Sequence, residues 1–245
     1  MSLKQISPTP RLSRREQAEL HYDQKWKEDP AQFSAMRSAR SRLLFERAKQ
    51  LIAKMRVQKV CELGSGSGDL TKFLQERGLQ VDAVDISPLA LNTLSSLPEN
   101  QKVHAYVPYT PLPDRHYDLV LAFDLIAELP KDEQRLCISE CARLLKPEGM
   151  VLLSTSLDIY SVDALPRLLY LVTTEFTVEE MIFSHHSFQI KLLNGTSLLP
   201  PLKNWLKQSD KLLKVCENIS SFFEEPKDAS HVIVMGRKKP LFSVE

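Results

Sequence analysis

The chain has 245 residues, 43% of them hydrophobic and 26% charged, a length and balance that suit one α/β domain with extensions built around one sizeable core. Its longest apolar stretches, such as Leu119 to Phe123 and Leu168 to Val172, fall far short of the ~20 residues a membrane span needs; the polar opening Met1-Ser2-Leu3-Lys4-Gln5 lacks the apolar segment of a secretion signal, so a cytoplasmic location is expected. The net charge is only +1, yet residues 1 to 60 carry 14 Lys and Arg against 6 Asp and Glu, a split that suits either the solvated face of a helix or an arm meeting nucleic acid, an acidic carrier or an anionic small molecule.

In chain order, Ser13 followed by Glu16 is a capping box that opens a helix running toward Lys27. Phe33, Met36, Leu43, Leu44, Ala48, Leu51, Ile52 and Met55 recur at helical spacing, so one or two further helices precede residue 58. From there short apolar runs alternate with amphipathic helices. Strands are expected at Lys59 to Leu63, Leu79 to Asp85, Lys102 to Tyr106, Tyr117 to Phe123 and Met150 to Thr155. Helices are expected at Asp69 to Arg77, Pro88 to Leu97 and Asp132 to Leu145, with Gly78 and the Pro147/Gly149 pair placed as terminators. Beyond residue 157, Val162 to Val172 reads as a helix, Thr177-Val178-Glu179-Glu180 as a capping box opening a short helix, and Phe188 to Leu193 as a strand. Leu199 to Phe223 reads as a helix and His231 to Met235 as a final strand. The β-α repetition predicts a doubly wound, mostly parallel sheet with helices on both faces and its ligand beyond the carboxyl ends of the strands. The expected organisation is an N-terminal helical cap over 1–56 and a cofactor-binding domain over 57–240, with helical insertions near 158–172 and 199–223. Cys61, Cys137, Cys141 and Cys216 contain no C-x-x-C pair and no histidines at ligand spacing, and are read as reduced thiols with no metal site.

Only seven glycines occur in the chain, and three of them, Gly64, Gly66 and Gly68, fall within five residues at the end of the first strand. Glycine accepts positive φ and has no Cβ, so this turn lets the backbone come close to a nucleotide-like ligand before the helix at Asp69 begins. A nicotinamide dinucleotide fingerprint requires a glycine where Asp69 stands. Glu62 is also an awkward neighbour for a pyrophosphate, whereas it suits a cationic amino-acid cofactor. About 20 residues after the loop, Asp85 ends the second strand, where a carboxylate accepts both hydroxyls of a ribose.

These residues resemble the class I S-adenosylmethionine-dependent methyltransferases. Val60-Cys61-Glu62-Leu63-Gly64-Ser65-Gly66-Ser67-Gly68 is similar to that family's first motif and Val84-Asp85-Ile86-Ser87 to its second-strand motif. Tyr117-Asp118-Leu119-Val120 through Glu128-Leu129-Pro130 resembles the fourth-strand motif, and Ala142 to Met150 the turn before the fifth strand; Thr177 to Leu193 resembles the later core more loosely. The resemblance implies a seven-stranded Rossmann-like sheet with an antiparallel last strand at His231 to Met235. It also implies a transferase that uses S-adenosylmethionine and releases S-adenosylhomocysteine. Gly64, Gly66 and Gly68, with Ser65 between them, are then expected to cradle the methionyl and ribose portions, and Asp85 to bind the ribose hydroxyls. Ile86 is expected to pack on adenine, and Phe123 and Asp124 to lie under the methionine and the substrate. Many relatives carry an acidic residue after the third strand for the adenine amino group; here the stretch is Ala105-Tyr106-Val107-Pro108, and Tyr106 or backbone groups stand in that place.

Positioning and desolvation supply much of the acceleration of methyl transfer, so dedicated catalytic residues are expected to be few. Where a base is needed, Glu128 is the weak candidate, beside His104, His116 and His186. Relatives that methylate planar amino groups carry an Asn/Asp-Pro-Pro-Tyr/Phe motif where this chain has Phe123-Asp124-Leu125-Ile126, which shifts weight to other acceptor atoms. Tyr22, Trp26 and Phe33 are either core contacts or a cover over the cofactor. The favoured acceptor is a small molecule or a carrier-bound acyl group. The alternatives are RNA or protein, met by the basic first 60 residues, or a non-catalytic cofactor-binding protein serving regulation or assembly.

Overall fold

The structure, a computed structural model, describes residues 12–157, 164–184 and 231–240. Its elements run α1 (Arg14–Glu28), a 3-10 turn (Pro30–Phe33), α2 (Ala39–Lys54), β1 (Lys59–Leu63), α3 (Asp69–Glu76), β2 (Gln80–Asp85), α4 (Pro88–Thr93) and β3 (Lys102–His104). They continue with β4 (Tyr117–Phe123), α5 (Leu125–Glu128), α6 (Lys131–Leu144), β5 (Leu145–Ser156), α7 (Ala164–Thr173), β6 (Phe176–Ser184) and β7 (His231–Lys238). The seven strands form one sheet in the order β3-β2-β1-β4-β5-β7-β6. β3 to β5 across the sheet are parallel, and β7 runs antiparallel between β5 and β6.

Strand alternation divides the core between two faces. Cys61, Val120, Ala122 and Leu153 point to one face, where Cys137, Ile138, Cys141 and Leu144 of α6 and Leu168, Leu171 and Val172 of α7 close over them. Val60, Leu119, Leu121 and Leu152 point to the other, against Leu44, Ala48, Leu51 and Ile52 of α2 and Leu70 and Leu74 of α3. The apolar stripe read between residues 31 and 56 thus finds its partner in the sheet. Cys61, Cys137 and Cys141 are buried and not disulfide-bonded, and burial pushes the Cys61 thiol well up.

The capping box at Ser13 and Glu16 is present. Three expectations need correction. The Thr177 to Glu180 capping box does not open a helix: Phe176–Ser184 is strand β6, paired antiparallel with β7 from Phe176↔Lys238 to Ser184↔His231. A local cap satisfies two amides, whereas the free edge of β7 offers a ladder to nine residues, and Phe176 is fully buried only in that arrangement. The helix from Pro88 stops at Thr93, because Leu94 and Leu97 both turn into the core. β5 begins at Leu145 directly after α6, ahead of the Pro147-Gly149 turn, where Glu148 takes φ 61. The strand expected at Phe188 to Leu193 and the helix expected at Leu199 to Phe223 lie outside the described residues. Among the described residues no helix is long and apolar enough to cross a membrane.

The glycine loop joins the two layers. Gly68 caps α3 at φ 75, and a Cβ there would lie 2.1 Å from Leu94 Cδ2. Gly68→Ala is therefore expected to lower stability by about 1–2 kcal/mol from the left-handed backbone alone, with a further loss as Leu94 is displaced. Urea denaturation measures it; a change under about 0.5 kcal/mol, the range of an ordinary surface substitution, would contradict this packing.

Candidate cofactor site at the carboxyl ends of the strands

The sheet reverses its winding between β1 and β4, and the crevice that such a reversal leaves at the carboxyl ends of the strands is where α/β sheets take their ligands. Here it opens into a cavity of about 850 Å³ walled by Glu62, Gly64, Ser65, Gly66, Asp85, Ile86, Tyr106, Phe123, Asp124 and Glu128. Helix α1 and the Pro30–Phe33 turn form the other wall, through Tyr22, Trp26 and Phe33. The expected site residues are thus brought to one place with a single exception. Gly68 faces Leu94 and is not part of the wall.

The loop is shaped from within the protein. Gly64, Gly66 and Gly68 adopt φ of 71, 51 and 75, conformations that cost other residues about 1–2 kcal/mol each. Gly64 N and Ser65 N donate to Val84 O at 2.8 and 3.0 Å, Gly66 N to Asp85 Oδ2 at 3.0 Å, and Gly68 N to Ser65 O at 2.9 Å. These amides are therefore engaged by the protein, and the glycines act by keeping side chains away from the cavity. A Cβ on Gly66 would meet nothing nearer than Phe33, at 3.8 Å.

Three features fit a ligand carrying hydroxyls and a cation. Asp85 is buried and accepts from Gly66 N and, at 2.9 Å through Oδ1, from Ser87 N; a carboxylate has about four acceptor positions, so capacity for hydroxyls remains. Burial raises its pKa, and the amides of Ser87 and Gly66 oppose that. Glu62, 5% exposed, is pushed up to about 8 by burial, against a hydrogen bond from the Thr71 hydroxyl and with Asp85 and Asp69 adding to the rise. A cation beside it would reverse that cost. Ser65 Oγ is buried with no hydrogen-bond partner among the described residues, a condition that costs about 1–3 kcal/mol and that a polar ligand relieves.

Asp69, where a dinucleotide site has glycine, holds the roof. Its Oδ2 accepts from Ala35 N at 2.7 Å, Ser67 Oγ at 2.8 Å and Ser34 Oγ at 3.1 Å, while Ser67 Oγ also lies 3.1 Å from Phe33 O. Phe33 in turn stacks on the buried Trp26 at 4.6 Å between centroids. Helix α1 is latched on its other side by polar pairs: Arg14 with Asp132 and Glu133 at 2.6 and 2.9 Å, Tyr22 Oη with Glu128 at 2.8 Å, and Ser87 Oγ with Asp23. Glu128, 52% exposed, also meets Lys25 at 3.6 Å, so its carboxylate is engaged with α1. Tyr106 donates to Glu133, and burial pushes its phenol up.

The histidine candidates separate. His104 borders α1 through Glu19, at 3.2 Å. His116 pairs with Lys59 at 2.6 Å, at the far end of β1, and His186 lies outside the described residues. Sequence reading passed over Ser154, His231 and Thr71. Ser154 meets Asp124 because β5 pairs with β4, and His231 because β7 lies on the other side of β5, whereas Thr71, nine residues after Glu62 and facing it, was within reach of a helical-period reading of α3.

Residues 61–153 match a family described as Methyltransferase domain. A ubiquinone biosynthesis O-methyltransferase of Dechloromonas aromatica is 32% identical over 104 residues, 40% of this chain and 44% of that protein. One from Leptothrix cholodnii is 26% identical over 161 residues, 62% of this chain and 64% of that protein. The methyltransferase likeness thus covers residues 61–153, the stretch that carries the glycine loop, Asp85 and β4. The matches span less than two thirds of these curated relatives' lengths. In fold, the chain is like the N-methyltransferase NodS from Bradyrhizobium japonicum, solved with S-adenosylhomocysteine, at a TM-score of 0.52 and 14% identity over 92% of this chain and 97% of that one.

The buried Glu62 makes a stability prediction for the protein without ligand. Its folded pKa, about 8, lies above the ordinary 4.5, so the folded state binds the extra proton between those values and stability falls as pH rises through that window. Glu62→Gln removes this term. Thermal melts of both proteins from about pH 5 to about pH 9 should show wild type losing stability relative to the variant across the window; parallel curves would refute the assignment.

Proposed function

We propose that the protein binds S-adenosylmethionine in the β1/β2/β4 crevice and transfers its methyl group to a small-molecule acceptor, with oxygen as the favoured atom. The observation that carries the reading is the pairing of Asp85 and Glu62 around an open glycine loop, a donor set that suits a ribose diol at one end and a cationic methionyl portion at the other. When bound, the cofactor supplies a methyl group on a good leaving group, so the chain's own contribution is to bind, orient and exclude water. Gly64 and Gly66 leave space over the loop, and Ser65 Oγ offers a hydrogen bond to the methionyl end. Ile86 and Tyr106 flank the adenine side, and Phe123 covers the other side of the ligand. Glu62, deprotonated beside a cation, gives back the penalty of its burial.

Two observations support a small acceptor. Two relatives that share this stretch are O-methyltransferases of ubiquinone biosynthesis by name. Five cations of the basic N-terminal segment are also engaged within the chain: Arg14 with Asp132 and Glu133, Lys25 with Glu128, Arg47 Nη1 with Phe183 O at 3.1 Å, Arg42 Nη1 with Met36 O at 3.1 Å and Lys49 with Glu46 at 2.6 Å. Charges engaged this way contribute little to the counterion release on which nucleic-acid binding depends.

Calorimetry with S-adenosylhomocysteine tests the reading. Micromolar binding is expected, weakened at least about tenfold by Asp85→Ala, the loss of one charge-assisted contact. A folded wild-type protein that does not bind, or an Asp85→Ala variant that binds equally well, would overturn it.

A further inference from the structure

Directly after β4, Asp124 takes the left-handed conformation, φ 54, one that aspartate tolerates better than most residues but still adopts at a cost. Three contacts hold it there. Its backbone N–H donates to Ser154 O at 2.9 Å, Ser154 Oγ donates to its Oδ1 at 3.0 Å, and His231 Nε2 lies 2.8 Å from the same Oδ1. Ser154 comes from β5 and His231 opens β7, so three strands converge on one carboxylate. The burial is graded: the His231 side chain is 4% exposed, whereas that of Asp124 is 62% exposed and stands on the cavity wall beside Ser154. A pair that served only to tie β7 to β4 would be as effective with both partners buried. Here the histidine lies behind and the carboxylate in front, on the same wall as Phe123 and Gly64.

Resting on the methyltransferase reading, we propose that Asp124 is the residue that binds the acceptor and acts as its base, with His231 as the positioning residue behind it. Asp124 accepts the hydrogen bond of an acceptor hydroxyl. As a lone pair of the oxygen forms the new O–CH3 bond, the S–CH3 bond breaks and its electron pair leaves with the sulfur of S-adenosylhomocysteine; the O–H bond breaks, its pair stays on oxygen, and the proton passes to Asp124 and then to water. His231 donates to Oδ1, fixes the plane of the carboxylate and directs it toward the cavity. Glu128, the other carboxylate on that side, is held by Tyr22 and Lys25 of α1 and does not take this role. The acceptor class that follows is a small neutral molecule with a phenolic or alcoholic hydroxyl.

The test uses the full chain as wild type, Asp124→Asn, His231→Gln and His231→Leu. His231→Gln keeps an N–H near the Nε2 position, so it separates loss of positioning from loss of the fold. S-adenosylhomocysteine binding is measured first by calorimetry; it is expected to stay within about threefold of wild type in the two His231 variants, a change under 1 kcal/mol, and its value in Asp124→Asn sets the saturating concentration used for that variant. The S-adenosylhomocysteine-saturated proteins are then titrated, by ligand-observed NMR, with a set of phenols, aliphatic alcohols and primary amines, and methyl transfer from labelled S-adenosylmethionine to the same set is measured. We expect hydroxyl compounds to bind wild type, and Asp124→Asn to weaken that binding about tenfold and lower kcat by about 100-fold or more. His231→Leu should lower kcat with little change in KM, and His231→Gln should restore most of it. Normal S-adenosylhomocysteine binding without binding of any hydroxyl compound would overturn the inference alone, as would an Asp124→Asn variant that binds and turns over acceptor like wild type. Failure of wild type to bind S-adenosylhomocysteine would remove the cofactor reading, and this inference with it.

Discussion

The bend after Leu63 governs much of the molecule. There the chain leaves a fully buried strand and enters α3 within five residues, which demands three left-handed positions in close succession. The bend is held by groups from the next strand: Val84 O takes two of its amides and Asp85 a third. Strand β2 must therefore sit in register beside β1 before the loop has its shape, and the two carboxylates that face the cavity, Glu62 and Asp85, are brought together by the same pairing. Gly68, expected with Gly64 and Gly66 to cradle the ligand, is required for a different reason, since Leu94 occupies the space its side chain would need.

A second constraint is the roof. Helix α1 buries fully only Trp26 and is otherwise held by side chains reaching to four different elements. Salt bridges and hydrogen bonds at such exposed positions contribute modestly, typically about 1 kcal/mol or less each, so the helix is held by its number of latches and by the Trp26–Phe33 stack. Asp69 links this roof to the floor, because the carboxylate at the start of α3 accepts the backbone of Ala35. The residue that departs from a dinucleotide fingerprint is thus the one that closes the cavity.

The electrostatics of the cavity follow from burial more than from pairing. Glu62, Asp69, Asp85, Asp124 and Glu128 all reach it, and burial pushes Glu62 up against the support of the Thr71 hydroxyl. An acidic cavity with an unsatisfied buried hydroxyl is poorly matched to pyrophosphate and well matched to a cationic ligand rich in hydroxyls.

Local pattern made the parallel half of the fold legible. The alternation of apolar runs and amphipathic helices from Lys59 to Thr155, the glycine cluster and the carboxylates at 62 and 85 are short-range features, and each specifies its element through the residues next to it. The antiparallel half was less legible for the opposite reason. Phe176 to Ser184 carries a helix-capping pattern, and the edge presented by β7, which begins 47 residues after Ser184 in the chain, makes it a strand. The same holds at the site. Gly64, Gly66 and Asp85 were identifiable because each lies in a short contiguous motif, while the link of Asp124 to Ser154 and His231 spans three strands and comes into being only when β5 pairs with β4 and β7 with β5. Sequence by itself determined the turn, the period and the residue types at the strand ends; tertiary structure decided which distant groups those ends meet, because contact across a sheet depends on strand order and register, which no local window contains.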